Sequence, residues 1–175
     1  MNLMIISDIH GIKTNLEIIK KKYKENNCNK LIVLGDVFNY WKNIKDFDPE
    51  YVKNFLKEFK DELICIKGNC DSSFDFIDND IIVKDLEYLK INNLDIYFTH
   101  GHIYNETNWE KKNTILVFGH YHVPFIIEKE NNTFINPGSI SLPRNNYEPS
   151  YMLFHDNKFE IFDVYDNIIN TKDMN

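Results

Sequence analysis

The sequence predicts an α/β fold in which two β-sheets pack face to face with helices on the outside. Three observations lead to this prediction. Short apolar runs alternate with amphipathic segments in the first part of the chain, which is the pattern of βαβ units. Farther along, paired runs of strand length flank Asn-Asn and Asp-Asn dipeptides, as β-hairpins do. Several strand-length runs in both parts end in glycine next to aspartate, asparagine or histidine.

The amino-terminal part of the chain alternates strands with helices. Predicted strands cover residues 1–6, 30–34 and 63–66, and predicted helices cover 14–24 and 49–60. In each helical segment the apolar residues recur at helical spacing, with lysines on the opposite face. A strand, a helix and a strand in succession predict that the first two strands are parallel.

The rest of the chain is rich in hairpins and predicts a mostly antiparallel half. Hairpins are expected at 86–99, 125–136 and 150–164, and a buried strand at 115–118. The polar segment 105–113 fits a short helix or a loop, and both interpretations stand. Residues after about 166 are expected to form a polar tail of one domain that spans 1–175.

Composition and charge limit the classes of partner. A hydrophobic content of 43% and a charged content of 27% are ordinary for a globular protein. The formal net charge of −7 argues against a surface built for long nucleic acids, whose binders carry a basic face. A small anionic substrate held by metal ions stays compatible with this acidity.

The cysteines and the apolar runs bear on location. The three cysteines, Cys28, Cys65 and Cys70, are an odd number and lack the spacing of a disulfide framework. This argues against a disulfide scaffold and favours a reducing compartment. No apolar run approaches the roughly 18 residues of a membrane span. We therefore expect a cytoplasmic protein without a membrane segment.

Five predicted strand ends carry aspartate, asparagine or histidine, all of which can bind metal ions. They are Asp8 with His10, Asp36, Asn69 with Asp71, His100 with His102, and His120 with His122. Five of the six histidines occur at such ends. Because the carboxyl ends of the strands in an open α/β sheet border one crevice, these side chains are expected to converge there.

The mixture of nitrogen and oxygen ligands predicts a transition-metal site. It suits Mn, Fe, Zn, Co or Ni better than Ca or Mg, which prefer oxygen ligands. Seven of these nine residues are taken as candidate ligands. That number exceeds the needs of one ion but suffices for two ions that share a carboxylate. No Ser-His-Asp arrangement or P-loop is visible, so a hydroxide bound to the metals is the only nucleophile that the sequence offers.

The ordered motifs resemble those of a known family. D-x-H-G, G-D, G-N-C-D, T-H-G-H, G-H-Y-H and N-P-G-S follow one another as in the calcineurin-like metallophosphoesterases, and the small bacterial and archaeal phosphodiesterases of the YfcE type are the most similar group. The resemblance runs from about residue 3 to residue 164. It implies a four-layer α/β/β/α sandwich of two mixed β-sheets flanked by helices, with two divalent metal ions per chain. Manganese is favoured, with nickel, iron, cobalt and zinc as alternatives.

The resemblance also assigns roles to individual residues. One ion would be held by Asp8, His10, Asp36 and His122, and the other by the bridging Asp36 with Asn69, His100 and His120. The implied catalytic residues are Asp36, Asn69 and His100, and the implied substrate-binding residues are Asn39, Cys70 and His102. Other roles stay open: turn capping for Asn39, a structural role for His102, and packing beside the site for Cys70.

Cys70 departs from the pattern of many family members, which have a histidine after G-N that acts as a general acid or contacts phosphate. A thiol with a pKa near 8.5 is a poor substitute for that acid. An enzyme that lacks this acid should react best with leaving groups that need little protonation. The resemblance implies that small phosphodiesters are preferred over monoesters, because family members with a cysteine at this position lean towards phosphodiesters.

Two other functions are compatible with the same fold. One is a protein-binding scaffold with a degenerate metal site, and the other is a phosphomonoesterase. All seven candidate ligand positions carry side chains able to bind metal, which favours an enzyme over a scaffold. The expected partner is a small phosphodiester, with no membrane and no long nucleic acid, and a homo-oligomer is left open.

Overall fold

The computed structural model describes residues 1–38, 44–77 and 79–174. Within these ranges three helices occur: α1 (Leu16–Glu25), α2 (Pro49–Glu58) and α3 (Ser73–Ile77). The strands are β1 (Leu3–Ile6), β2 (Lys30–Val33), β3 (Leu63–Ile66), β4 (Val83–Lys84), β5 (Leu86–Ile91), β6 (Leu94–Thr99), β7 (Ile115–Phe118), β8 (Pro124–Lys129), β9 (Asn132–Pro137), β10 (Ser150–His155), β11 (Lys158–Asp163) and β12 (Ile168–Asp173).

The strands form two mixed sheets. The larger sheet has seven strands in the order β12-β11-β10-β1-β2-β3-β4, and the smaller has five in the order β5-β6-β7-β9-β8. Strands β1, β2, β3 and β4 are parallel, so the predicted pairing of the first two strands is confirmed. Strands β6, β7 and β9 are also parallel to one another. The expectation of a mostly antiparallel second half was wrong for the smaller sheet, because connections between β6, β7 and β9 return each strand in the same direction.

Helix α2 shows how local sequence fixes an element boundary. Pro49 occupies its first turn, where a missing N–H costs nothing, and the Asp48 carboxylate accepts a hydrogen bond from Tyr51 N at 3.0 Å. The buried face of the helix carries Val52, Phe55 and Leu56 at helical spacing. It covers one face of the larger sheet.

Alternation along buried strands divides the interior into two apolar layers. In β1, Met4 and Ile6 face a cluster with α1, α2 and α3, whereas Leu3 and Ile5 face the layer between the sheets. Phe98 of β6 and Val117 of β7 complete that second layer from the other sheet. The two-sheet architecture predicted from the sequence is therefore confirmed.

The outer face of the smaller sheet has a different cover. Leu116, Phe118 and Phe134 form a small cluster there, against which Trp109 packs from the segment 101–113. The Trp109 indole donates a hydrogen bond to the Thr114 hydroxyl at 2.9 Å. Of the two interpretations of residues 105–113, the loop is the one observed.

The predicted polar tail is a strand. Ile168–Asp173 pairs antiparallel with β11 as the edge of the larger sheet, and Ile169 and Met174 pack against the layer between the sheets. The outward positions of an edge strand are exposed and polar, so its sequence resembles a solvated tail. No described helix is long and apolar enough to cross a membrane.

Candidate metal centre

The carboxyl ends of parallel strands from both sheets meet at one crevice. Strands β1, β2 and β3 of the larger sheet lead into Asp8, Asp36 and Asn69 respectively. From the smaller sheet, β6 leads into His100 and β7 into His120. Residues that are far apart in sequence are brought together in this way, as the sequence predicted.

The backbone at this crevice has an unusual conformation. Asp8, His10, Asp36, His120 and His122 all have φ between 49° and 67°, in the left-handed region that disfavours side chains. All the other described non-glycine residues with positive φ are Asn, Asp or Glu. Twelve such residues lie elsewhere in the described ranges, so the feature that sets the crevice apart is its three histidines in this conformation.

One group of candidate ligands consists of Asp8, His10 and His122. Nε2 of His10 lies 3.2 Å from Nε2 of His122, and Nε2 of His122 lies 3.2 Å from Oδ1 of Asp8. All three side chains are buried. Their ligand atoms lie within 4.8 Å of one another, close enough to share one ion.

Asp36 connects this group to a second one. Its Oδ2 is 3.8 Å from Nε2 of His10, while its Oδ1 is 3.4 Å from Nε2 of His100. Asp36, His100 and His120 have ligand atoms within 4.8 Å of one another. Asn69 extends the second group, since its Oδ1 lies 3.1 Å from Nε2 of His100. The two carboxylate oxygens of Asp36 therefore face different sets of ligands.

Backbone carbonyls orient two of the histidine rings. Nδ1 of His100 lies 2.7 Å from the Leu34 oxygen, and Nδ1 of His122 lies 2.6 Å from the Leu142 oxygen. Donation from Nδ1 leaves Nε2 with a lone pair that faces the crevice, the arrangement found in metal-binding histidines.

The Asp71 carboxylate joins the two loops that carry Asp36 and Asn69. It accepts hydrogen bonds from the backbone N–H groups of Val37, Phe38 and Gly68 at 2.8–3.0 Å. Burial raises the pKa of Asp71 above its usual value. Asp71 therefore acts on the site by holding these two loops together.

Charges in the crevice shift the pKa values of its groups in opposite directions. Burial alone would raise the pKa of Asp36, but interaction with His100 and a hydrogen bond from Cys70 N hold it well below its usual range. Burial would lower the pKa of His122, but the Asp8 carboxylate outweighs burial and raises it. Burial dominates at His10, whose pKa is lowered. The crevice therefore favours bound positive charge next to its two carboxylates.

The ligand set fits divalent metal ions. Oδ1 of Asp8 is buried and receives no hydrogen bond from any described residue, although Nε2 of His122 is nearby. A buried carboxylate oxygen without a hydrogen bond is costly in a closed structure, and a cation would satisfy it. Imidazole nitrogens and carboxylate oxygens are ligands of Mn, Fe, Co, Ni and Zn.

Cys70 and His102 border the ligand cluster. Sγ of Cys70 lies 3.3 Å from Nδ2 of Asn69, and the Cys70 N–H donates to Oδ1 of Asp36 at 2.8 Å. Burial, with the nearby carboxylates, raises the pKa of the Cys70 thiol to about 12. His102 is exposed, with its ring centroid 5.3 Å from that of His100. Asn39 lies outside the described residues.

The crevice opens into a cavity of about 460 Å³. Four of its lining residues were not identified from the sequence: Tyr121, Leu142, Pro143 and Arg144. Tyr121 stands between two candidate ligands in G-H-Y-H, a position that could have indicated it. Arg144 is the only arginine of the chain, which was a signal available in the sequence. A second cavity of about 480 Å³ borders α2 and residues 79–82 and has no histidine in its lining.

Gly68 allows the loops to approach closely, and its replacement provides a test. A Cβ at this position would lie 2.1 Å from Oδ1 of Asp36 and 2.2 Å from its backbone N. We expect Gly68→Ala to destabilise the fold by roughly 1–3 kcal/mol and to weaken manganese binding, because Asp36 must move. Urea unfolding and a manganese titration measure both effects. Ser73→Ala, an exposed change nearby, should alter stability by less than about 0.5 kcal/mol. Equal behaviour of the two variants would contradict the close packing around Asp36.

Comparison with known proteins establishes the family. Residues 1–158 match the model of the calcineurin-like phosphoesterase superfamily domain. The chain belongs to this superfamily. The resemblance inferred from the ordered motifs is thereby confirmed, and family membership brings with it the use of divalent metal ions.

Several relatives resemble the chain over most of its length. Phosphodiesterase YfcE of Escherichia coli is 29% identical over 175 residues, covering 97% of this chain and 95% of the relative. A probable metallophosphoesterase of Mycoplasma genitalium is 31% identical over 159 residues, covering 77% and 92%. The solved structure of E. coli YfcE, described as a phosphoesterase, superposes with a TM-score of 0.93 at 27% identity and covers both chains fully.

More distant structures share the fold alone. The zinc complex of Vps29 from Entamoeba histolytica has a TM-score of 0.68 at 20% identity and covers both chains fully. An archaeal phosphodiesterase has a TM-score of 0.61 at 20% identity, covering 93% of this chain and 99% of its own.

Proposed function

We propose that this chain is a phosphodiesterase that requires two divalent metal ions and hydrolyses small phosphodiesters. One observation carries the proposal: the two oxygens of the buried Asp36 carboxylate face two separate groups of candidate ligands. A carboxylate shared between two ions is the feature that distinguishes a dinuclear site from a single one. The phosphodiesterase named among the relatives supports the same reaction class.

The resemblance implies a division of the seven predicted ligands between the two ions. Asp8, His10 and His122 would hold one ion with Asp36, and Asn69, His100 and His120 would hold the other with Asp36. When bound, two divalent ions neutralise charge on the phosphoryl oxygens and lower the pKa of water, so that hydroxide is available as a nucleophile near neutral pH. We favour manganese on the mixed nitrogen and oxygen ligand set, with Ni, Fe, Co and Zn as alternatives.

Other residues of the chain would orient the substrate. The Asn69 amide and the exposed His102 imidazole border the open side of the cluster, where each can donate a hydrogen bond to a phosphoryl oxygen. His100 and Asp36 hold each other in position at 3.4 Å. The predicted substrate contact of Asn39 stays a prediction, since that residue lies outside the described part of the chain.

The phosphodiesterase among the relatives supports a preference for diesters, and the chemistry at Cys70 bears on the leaving group. A thiol whose pKa is raised to about 12 is a weak acid for protonating a departing alkoxide. Substrates with leaving groups that need little protonation should therefore react best. The cavity of about 460 Å³ is sized for a small molecule, and the formal net charge of −7 disfavours a long polyanion.

A scaffold function has less support. The likeness to Vps29, at 20% identity, concerns the fold alone. All seven candidate ligand positions carry side chains able to bind metal, which a scaffold has no need to retain. We propose a cytoplasmic location from the cysteine usage, and self-association stays open as a further prediction.

A pair of chromogenic esters tests this proposal. Chelated protein should hydrolyse neither bis-p-nitrophenyl phosphate nor p-nitrophenyl phosphate, and added Mn²⁺ should restore activity with the diester preferred. Restored activity on the monoester alone would favour a phosphomonoesterase. A chain that binds no metal and hydrolyses neither ester would favour the scaffold.

A further inference from the structure

The cavity beside the metal centre contains the only arginine of the chain. The sequence has nineteen lysines and one arginine, and Arg144 lines this cavity together with His10, Asp36 and His122. Arginine differs from lysine in presenting a planar fork of donors that matches the oxygens of a phosphate or carboxylate. The location of this single guanidinium group beside the metal centre therefore indicates a candidate binding position for an oxyanion.

The segment that carries Arg144 is tied to two of the candidate ligands. The backbone N–H of Arg144 donates a hydrogen bond to the backbone oxygen of His122 at 3.0 Å. The backbone oxygen of Leu142 lies 2.6 Å from Nδ1 of His122. The Ser139 hydroxyl donates a hydrogen bond to the backbone oxygen of Asp8 at 2.8 Å and accepts one from the backbone N–H of Leu142 at the same distance. These bonds set the distance between the arginine and the ligand cluster.

The charge of Arg144 is available to a ligand. The side chain is exposed and forms no ion pair with any residue in the described ranges. The lining residues His10, Asp36 and His122 are buried, at most 5% exposed, so they form the floor of the cavity while the exposed Arg144 lies at its mouth. An anion bound by Arg144 would thus be separate from a phosphoryl group held on the floor.

The wall between mouth and floor is apolar or aromatic. Leu142 and Pro143 precede the arginine, and Tyr121 lines the same cavity. None of these three residues carries a negative charge. This arrangement suits an organic group with one anionic end on the floor and another at the mouth.

We propose that Arg144 is a specificity-determining residue that binds a second oxyanion of the substrate, a phosphate or a carboxylate carried by the organic group of the diester. The proposal rests on the proposed phosphodiesterase function and narrows its substrate class. The preferred substrates are diesters with two anionic groups, one of them the scissile phosphodiester.

A series of p-nitrophenyl phosphodiesters isolates this interaction, because all its members share one leaving group. The second alcohol is glycerol (neutral), choline (cationic), glycerate (carboxylate) or glycerol 3-phosphate (phosphate). With Mn²⁺ present, the wild type should show a kcat/KM for the two anionic diesters at least about tenfold above that for the glycerol diester, as expected for charge-assisted hydrogen bonds. The order of the glycerate and glycerol phosphate diesters tells which oxyanion the site prefers.

Arg144→Gln should remove this preference, mainly through KM, and leave hydrolysis of the glycerol diester within about twofold. Arg144→Lys, which keeps the charge and loses the fork, should show an intermediate preference. Lys24→Gln, the same charge change on an exposed residue of α1, should retain the wild-type pattern. Retention of the preference in Arg144→Gln, its absence in the wild type, or an equal loss on all four diesters would overturn the proposal.

Failure of the proposed function itself has a different signature. If the wild type with Mn²⁺ hydrolyses none of the diesters, calorimetric binding decides the role of Arg144. Glycerol 1,3-bisphosphate should then bind the wild type at least about tenfold more tightly than glycerol 1-phosphate does, and Arg144→Gln should abolish that difference. Equal binding of both compounds to the wild type would overturn the proposal.

Discussion

Replacing Asp36 by asparagine should lower diester hydrolysis at least about a hundredfold and weaken manganese retention. An amide has one oxygen able to bind metal, whereas the two oxygens of the carboxylate face His10 on one side and His100 on the other. The shape of the side chain is unchanged, and its oxygen can still accept the hydrogen bond from Cys70 N. The effect should therefore arise from the lost charge and the lost ligand atom.

Asp156→Asn is the matched control for this variant. Its side chain is 96% exposed, and its positive φ of 50° is one that asparagine tolerates. This control should keep wild-type rates and wild-type metal content. Steady-state kinetics on bis-p-nitrophenyl phosphate and metal analysis after desalting give the comparison. Near-normal turnover with full metal content in Asp36→Asn would show that Asp36 does not bridge two ions.

Cys70→His should raise monoester hydrolysis relative to diester hydrolysis by at least about tenfold. A positioned general acid contributes typically 10²–10⁴-fold, and imidazole titrates near neutral pH while the Cys70 thiol has its pKa raised to about 12. The cavity lining includes Cys70, so a larger side chain has space there. Relative kcat/KM values for phenyl phosphate and diphenyl phosphate measure the change, because phenolate benefits more from protonation than nitrophenolate does.

Cys70→Asn separates acid chemistry from shape. Its planar amide resembles part of the imidazole ring in shape and cannot act as an acid near neutral pH, so the ratio of monoester to diester hydrolysis should stay close to that of the wild type. An unchanged ratio in Cys70→His, or an equal rise in Cys70→Asn, would mean that this position does not set the preference through proton transfer.

Strand positions were predictable where turn residues bounded them. The predicted strands at 63–66 and 115–118 have the bounds observed in the structure, and the hairpins predicted at 86–99 and 150–164 contain β5 with β6 and β10 with β11. The Asn-Asn and Asp-Asn dipeptides between the hairpin strands include Asn92, Asn131, Asp156 and Asn157, which adopt the positive φ that such turns need. The turn residues on either side of these strands set their boundaries, and turn residues can be recognised from the sequence alone.

Other elements depend on packing that the sequence does not display. Helix α3 is five residues long and leaves Phe74 and Ile77 more than two-thirds exposed, so it has no apolar periodicity to detect. Strand β4 has two residues, and β12 is an edge strand with a polar outer face. Each of these three elements forms its secondary structure only because a neighbouring strand or loop provides hydrogen-bond partners or a surface to pack against.

The candidate ligands were predictable because strand ends converge in α/β folds. The structure brings together the six side chains of Asp8, His10, Asp36, His100, His120 and His122, and Asn69 contacts them through His100. Arg144 was not predicted as part of the site, because nothing in its local sequence associates it with His122, which lies 22 residues earlier in the chain. That association arises from hydrogen bonds between the Leu142–Arg144 segment and His122.

The most direct test of the central claim is the number and spin coupling of manganese ions bound by the metal-free chain. Titration of Mn²⁺ into chelated protein, followed by calorimetry and electron paramagnetic resonance, reports both quantities. The proposed site predicts two ions per chain with the spectrum of a coupled pair, and Asp36→Asn should abolish the coupling. One ion per chain, or two ions without coupling in the wild type, would contradict a dinuclear centre shared through Asp36.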